Sequence, residues 1–177
     1  MKWEDQKLAS AIVSRYQLQT HPEGGFYAET YRSSAVIPHQ CLPDGFTGDR
    51  NVSTAILYLL LENDFSALHR IRQDEAWHFY LGGALQLVMI SPEGILSEII
   101  LGQDVTAGEY VQYVVPAGYW FGARPVAGAG FSFLGCTVAP GFDFEDFELG
   151  VRATLLELFP QHKAVILSYT RDDEKTS

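Results

Sequence analysis

The stretch SALHRIRQDEAWHFYLGGALQLVM, Ser66 to Met89, decides how the rest of the chain reads. Its apolar runs and its Gly82-Gly83 pair predict two strands joined by a turn, a hairpin over Ser66 to Met89. Successive side chains of a strand point to opposite faces. Unbroken alternation therefore puts His69, Ile71, Glu75, Trp77 and Phe79 on one face, and His78 on the other with Ala76 and Tyr80. A His and a Glu among aromatics, on a strand otherwise built for burial, mark the candidate site.

Upstream, Val52 to Leu61 is a nearly continuous apolar run, suited to a strand covered on both faces. Phe26 to Arg32 reads as a strand opened by the turn-like HPEGG. Ser33 to Arg50, with Pro38, Pro43, Gly45 and Gly48, is a long loop, either a lid over a site or a surface excursion. Residues 3 to 17 read as an amphipathic helix whose stripe is Trp3, Leu8, Ile12, Val13 and Tyr16. Downstream, Ser91 to Gly94 is a turn, and Ile95–Leu101, Val111–Val115, Tyr119–Ala123 and Phe131–Val138 are further short strands. That rhythm indicates an all-β protein with a few peripheral helices, an antiparallel sandwich or barrel. Phe142, Phe144 and Phe147 then alternate with Asp143, Glu145, Asp146 and Glu148, which reads as a solvated acidic face. Residues 151 to 159 form a short helix stopped by Pro160; His162 to Tyr169 is ambiguous by period, and residues 172 to 177 are expected to fray. With no repeat or linker, residues 1 to 177 read as one domain.

Hydrophobic residues at 47% and aromatics at 13% supply a sizeable core and exclude a disordered chain. A net charge of −10 argues against nucleic acid and against an anionic membrane surface as partners. Cys41 and Cys136 lie far apart and make no metal-type pair, and Cys136 reads as a small core residue. There is no signal-like start and no apolar run of membrane-spanning length, so a cytoplasmic protein with reduced thiols is expected.

His69, Glu75 and Gly82 resemble the first cupin motif, in which two His at i and i+2 precede a Glu and a Gly, but Ile71 stands where the second His belongs. Pro116-Ala117-Gly118-Tyr119-Trp120-Phe121 resembles the second motif, with Phe121 in place of its His. HPEGGFYAETYRSS, DEAWHFYLG and VAPGFDFEDFELG narrow the likeness to the small single-domain cupins of unknown function, cupin type 5 (DUF985). The resemblance spans roughly Leu8 to Tyr169 and implies an antiparallel double-stranded β-helix, a jelly-roll barrel. It also implies helix over His162 to Tyr169.

The cupin metal site implied by the resemblance uses three His and one Glu. This chain keeps only His69 and Glu75, too few donors for a tight divalent ion, so no metal or other cofactor is expected. Three readings stay open. In the first, a metal-free pocket binds a small ligand, with nucleotides or sugar nucleotides as the best guess, and runs isomerase-like acid–base chemistry through a His69–Glu75 pair with His78 as a further candidate. In the second, a weak divalent site at His69 and Glu75 serves a metal-dependent enzyme. In the third, the pocket belongs to a non-enzymatic binding or structural protein. Trp77, Phe79, Tyr119 and Phe121 are expected to line the pocket. The strand Phe26–Arg32 resembles one that, in deoxysugar-nucleotide epimerases, crosses to a partner subunit; Phe26, Glu29 and Arg32 are its candidate ligand contacts, and a homodimer follows. Those epimerases pair a His with a Tyr, for which Tyr31, Tyr58, Tyr113 and Tyr119 are the candidates here.

Overall fold

The computed structural model describes residues 2–171; the fraying expected at 172–177 lies outside them. Two antiparallel sheets carry the fold. The first runs in the order β1 (Gln19–Thr20), β2 (Phe26–Arg32), β5 (Thr54–Leu61), β12 (Phe131–Ala139), β7 (Asp74–Gly82) and β10 (Gln112–Val115). The second runs β13 (Glu148–Leu149), β6 (Ser66–Arg70), β11 (Trp120–Pro125), β8 (Leu85–Ile90) and β9 (Leu96–Leu101). β3 (Val36–Ile37) and β4 (Arg50–Asn51) pair on their own, within the stretch read as a loop.

The inner faces of the two sheets meet in the main core. Tyr58 and Leu60 of β5, Trp77 and Phe79 of β7, and Leu134 of β12 pack there with Leu87 and Met89 of β8 and Phe121 of β11. Because β5 and β12 alternate two apolar sets, their outer faces need cover as well. Helix α1 (Trp3–Tyr16) supplies it, laying Ala9, Ile12 and Val13 on Leu59, Phe131 and Phe133. Trp3, Leu8 and Tyr16, placed on that stripe by period, are instead exposed, so the true stripe is narrower and centred on the small Ala9. On the far side, α2 (Arg152–Leu158) and α3 (Lys163–Ser168) cover Leu68, Val88 and Trp120. The expected helix over His162–Tyr169 is present as α3.

The Ser66–Met89 segment is not a hairpin. It holds three strands, and the chain changes sheet twice, at Ile71–Gln73 and at Gly83–Ala84. The first crossing is pinned by the 116–118 turn, where the Gly118 N–H donates to the Ile71 carbonyl (2.9 Å) and the Ala117 N–H donates to Asp74 Oδ1 (2.8 Å). His69 and Glu75 therefore face the core from opposite sheets rather than along one strand. No helix among the described residues is long and apolar enough to cross a membrane.

Candidate functional site

Between the open ends of the sheets lies a cavity of about 280 Å³. Its floor is organised by Glu23, from the HPEGG turn. Gly24 (φ +121°) and Gly25 (φ +69°) hold that turn in left-handed backbone, and a Cβ on either would come within 2.2 Å of Phe65 O or 2.7 Å of Leu59 O. The turn is laced to both sheets: the Ala67 N–H donates to Glu23 O (2.8 Å) and the Tyr58 hydroxyl to Gly24 O (2.7 Å). This drives the Glu23 side chain inward, where it is 6% exposed.

Glu23 takes the Ser66 hydroxyl on Oε1 (2.9 Å) and His69 Nε2 against Oε2 (3.1 Å). The other ring nitrogen, Nδ1, lies 2.7 Å from Ala67 O. A carbonyl can only accept, so Nδ1 carries a hydrogen. Phe121 packs on the His69 ring at 4.1 Å between centroids. His21 also approaches Glu23, with Nδ1 3.4 Å from Oε2, yet burial pushes its pKa down despite the neighbouring carboxylate.

Glu75 sits in the same cavity under the opposite rule. No cation among the described residues pairs with it; burial first, and the charge of Glu23 second, push its pKa up to about 8, with a hydrogen bond from the Cys136 thiol working the other way. The Cys136 thiol is itself driven well up by burial and by Glu75, and the Tyr58 hydroxyl by burial and by Glu23. At neutral pH the Glu75 carboxyl therefore keeps its proton.

The mouth is made by β2 and by the 141–147 segment. Arg32 grips Glu29 through two bonds (2.9 and 2.7 Å) and reaches Asn51 (2.8 Å) and Phe142 O (3.2 Å). Phe142, Phe144 and Phe147 close over it, with ring centroids 5.0 to 6.3 Å apart. The acidic run there is not simply solvated. Asp146 is buried and accepts from Arg50 Nε and Nη2 (2.7 and 2.8 Å) and from Gln73 Nε2 (2.7 Å), which ties the 36–51 excursion, the sheet crossing and the aromatic cap together.

Of the residues singled out by sequence, His69, Glu75, Glu29 and Arg32 line this cavity. The expected His69–Glu75 pair is replaced by His69–Glu23, because the sheet crossing separates the two strands and the HPEGG turn fills the gap. His78 points to the outer face, between Thr137 Oγ1 (3.1 Å) and Gln112 Nε2 (3.0 Å), so it takes no part in the cavity. Trp77, Phe79 and Phe121 lie in the core beneath the cavity, and Tyr119 packs against that core; none of the four lines it. Phe26 faces α1 instead. A bulge at Thr30, where the β2–β5 register steps from Glu29↔Ile56 to Tyr31↔Ala55, carries Arg32 onto the same face as Tyr27 and Glu29, where strict alternation would have put it with Phe26. Of the four candidate tyrosines, Tyr58 lines the cavity. His21, Glu23, Tyr27 and Cys136 were missed: each is read locally as turn, edge or core, and only long-range packing brings them together.

The residues do not fit a cupin metal ion. Ile71 and Phe121 offer no lone pair, both His69 nitrogens are engaged, and among the described residues no group of three or more His, Cys, Asp or Glu is arranged to hold one.

The sequence model of the family described as Cupin superfamily (DUF985) matches residues 10–150. The chain belongs to this family. A curated relative from Saccharomyces cerevisiae, uncharacterized protein YML079W, is 31% identical over 143 residues, covering 76% of this chain and 71% of its own. Among solved structures, protein SO0799 from Shewanella oneidensis is 40% identical with a TM-score of 0.83, covering 93% of this cupin and 98% of that chain. A hypothetical protein from Leishmania major is 36% identical with a TM-score of 0.84, covering 93% and 99%. Oxalate decarboxylase from Bacillus subtilis matches 88% of this chain, but only 38% of its own, at 13% identity and a TM-score of 0.53; that likeness concerns the fold alone.

Proposed function

We propose that this cupin is a metal-independent acid–base enzyme, isomerase-like, acting on a small organic substrate with a hydrogen beside a carbonyl group. One observation carries the reading: one cavity holds two carboxyl groups in different surroundings, Glu23 beside His69 and Ser66, and Glu75 held protonated by burial with no cation beside it among the described residues. Two carboxyl groups in such different surroundings can divide acid and base steps between them. Glu23 takes the substrate proton while Glu75 gives its own to the carbonyl oxygen, forming an enol; reversing both transfers returns the proton to the same carbon, and where that carbon bears a hydroxyl, removal of the hydroxyl proton by Glu75 lets Glu23 deliver its proton to the former carbonyl carbon instead. His69 is a positioning residue, holding Glu23 through Nε2 while Ala67 fixes its ring.

The size of the cavity limits the substrate. Ligand pockets usually run from about 300 to 1,000 Å³, so about 280 Å³ takes a small molecule or one end of a larger one, not a whole sugar nucleotide. The test is hydrogen–deuterium exchange at carbon, followed by proton NMR in heavy water, over a panel of small ketones, aldoses and amino ketones. We expect exchange at the carbon beside the carbonyl of at least one compound, falling by roughly 10²–10⁴ in Glu23→Gln. A compound that binds in the cavity yet exchanges no faster than in buffer overturns the catalytic reading.

A further inference from the structure

We propose that the cavity selects a neutral aromatic carbonyl compound, its ring set among the rings of the mouth and its carbonyl oxygen turned to the Glu75 carboxyl. The inference names the substrate class for the acid–base reading and rests on it for the place of the carbonyl.

Charge narrows the class first. An anion would meet Glu23, Glu29 and Asp143, with Arg32 as the one fixed cation among the lining residues. Of the five N–H donors on a guanidinium, Arg32 has committed four, two to Glu29 and two to Asn51 and Phe142 O. A cation fares no better. Glu29 is gripped by Arg32, Glu23 is taken by Ser66 and His69, Asp143 accepts from the Glu145 N–H (2.9 Å), and Glu75 keeps its proton. Drawing a charge out of water into such a cavity is costly, and no uncommitted partner offsets the cost. A neutral molecule escapes it.

Glu75 supplies the anchor. It is 7% exposed and faces the cavity. The side chain hydrogen-bonded to it is the Cys136 thiol, which donates, so the proton on Glu75 has no acceptor among the described residues. A buried donor left unpaired is destabilising. A ligand carbonyl oxygen is the acceptor that the protein does not itself provide.

The mouth supplies the ring contacts. Phe142, Phe144 and Phe147 meet pairwise edge to face, at interplanar angles of 71° to 80°, and Tyr27 stands edge-on to His21 at 4.6 Å. Phe144 nonetheless stays 51% exposed where it borders the cavity. Rings set perpendicular to one another present both faces and edges to what enters. An entering aromatic ring can match either, whereas a saturated ring gains area alone.

The test titrates three probes into the full-length protein by calorimetry at neutral pH: phenylacetone, its saturated counterpart cyclohexylacetone, and the anionic phenylpyruvate. Phenylacetone is expected to bind at least about threefold more tightly than cyclohexylacetone, although the latter is the more apolar, and about tenfold more tightly than phenylpyruvate. Its affinity should fall about threefold in Phe144→Leu and about fivefold in Glu75→Leu, and hold in Glu75→Gln, which keeps a donor. Circular dichroism checks each fold, and the half-exposed Phe144 provides the test should Glu75→Leu fail to fold. The proposal is overturned if either other probe binds as tightly as phenylacetone, if phenylacetone keeps its native affinity in a folded Phe144→Leu or Glu75→Leu variant, or if none of the three binds at millimolar concentration. Preference for cyclohexylacetone would remove the aromatic class and leave the acid–base reading standing. Phenylacetone bound in the expected pattern, yet showing no exchange at the carbon between ring and carbonyl, would support the ligand class and overturn the acid–base reading.

Discussion

Replacing Glu75 by Gln should change how the stability of this cupin depends on pH. In the unfolded chain this carboxyl ionises at its ordinary value of 4.5; in the fold, burial and Glu23 hold it protonated up to about 8. Below 4.5 both states carry the proton, and the contribution of Glu75 to stability is fully present. As pH rises between the two values, the unfolded state releases its proton and the folded state does not, so stability falls by about 1.4 kcal/mol per pH unit. Above about 8 both states are ionised and the loss levels off, on the order of 5 kcal/mol in all. That is a large part of the ~5–15 kcal/mol by which domains are usually stable. Gln has similar shape and cannot titrate. Urea unfolding of both proteins, followed by tryptophan fluorescence from about pH 5 to about pH 9, gives the difference between their stabilities. The Gln variant should gain on the native protein at about 1.4 kcal/mol per unit and then run level above about pH 8. A difference that stays flat to within ~0.5 kcal/mol over that range would show Glu75 ionised in the fold and would remove the acid from the proposed mechanism.

Cys136→Val deletes the donor that works against the rise in the Glu75 pKa, so the levelling-off in the same titration should move to higher pH. Asp146→Ala leaves Arg50 buried without its partner and should cost about 3–5 kcal/mol in urea unfolding; a loss under ~1 kcal/mol would place Arg50 in solvent. Only Phe26 and Tyr27 of β2 pair with β1, which leaves the outer edge of residues 28–32 without a strand partner among the described residues. We expect a homodimer that covers this edge, and a monodisperse monomer at micromolar concentration in sedimentation velocity would refute it.

The strands were legible because period and turn signals are local. Phe26–Arg32 has the ends expected, and Thr54–Leu61 falls inside its apolar run. Inward-facing parity was legible too: His69, Glu75, Trp77 and Phe79 all point to the core. Which sheet each strand joins was not, because alternation looks the same along one strand as across a crossing between two facing sheets. That ambiguity produced the mistaken hairpin and the mistaken pairing of His69 with Glu75. Glu23 was hidden for a different reason. HPEGG has the composition of a turn, and nothing local shows that its two glycines let the backbone of the neighbouring strands come close enough to push a carboxylate into the core. The extra residue at Thr30 is equally silent, since a bulge is settled by the pairing partner rather than by the bulged sequence.

The junction at Asp146 sets how ligand exchange should respond to its surroundings. Three separate parts of the chain, the 36–51 excursion, the crossing at Gln73 and the ring-bearing cap, share one carboxylate that is withdrawn from water. Opening the cap widely therefore means wetting a buried ion pair, not swinging a free loop. Dissolved salt screens charges that it can approach and leaves enclosed ones nearly untouched. The rate at which a neutral ligand leaves should accordingly be slow, steep in temperature and almost indifferent to ionic strength.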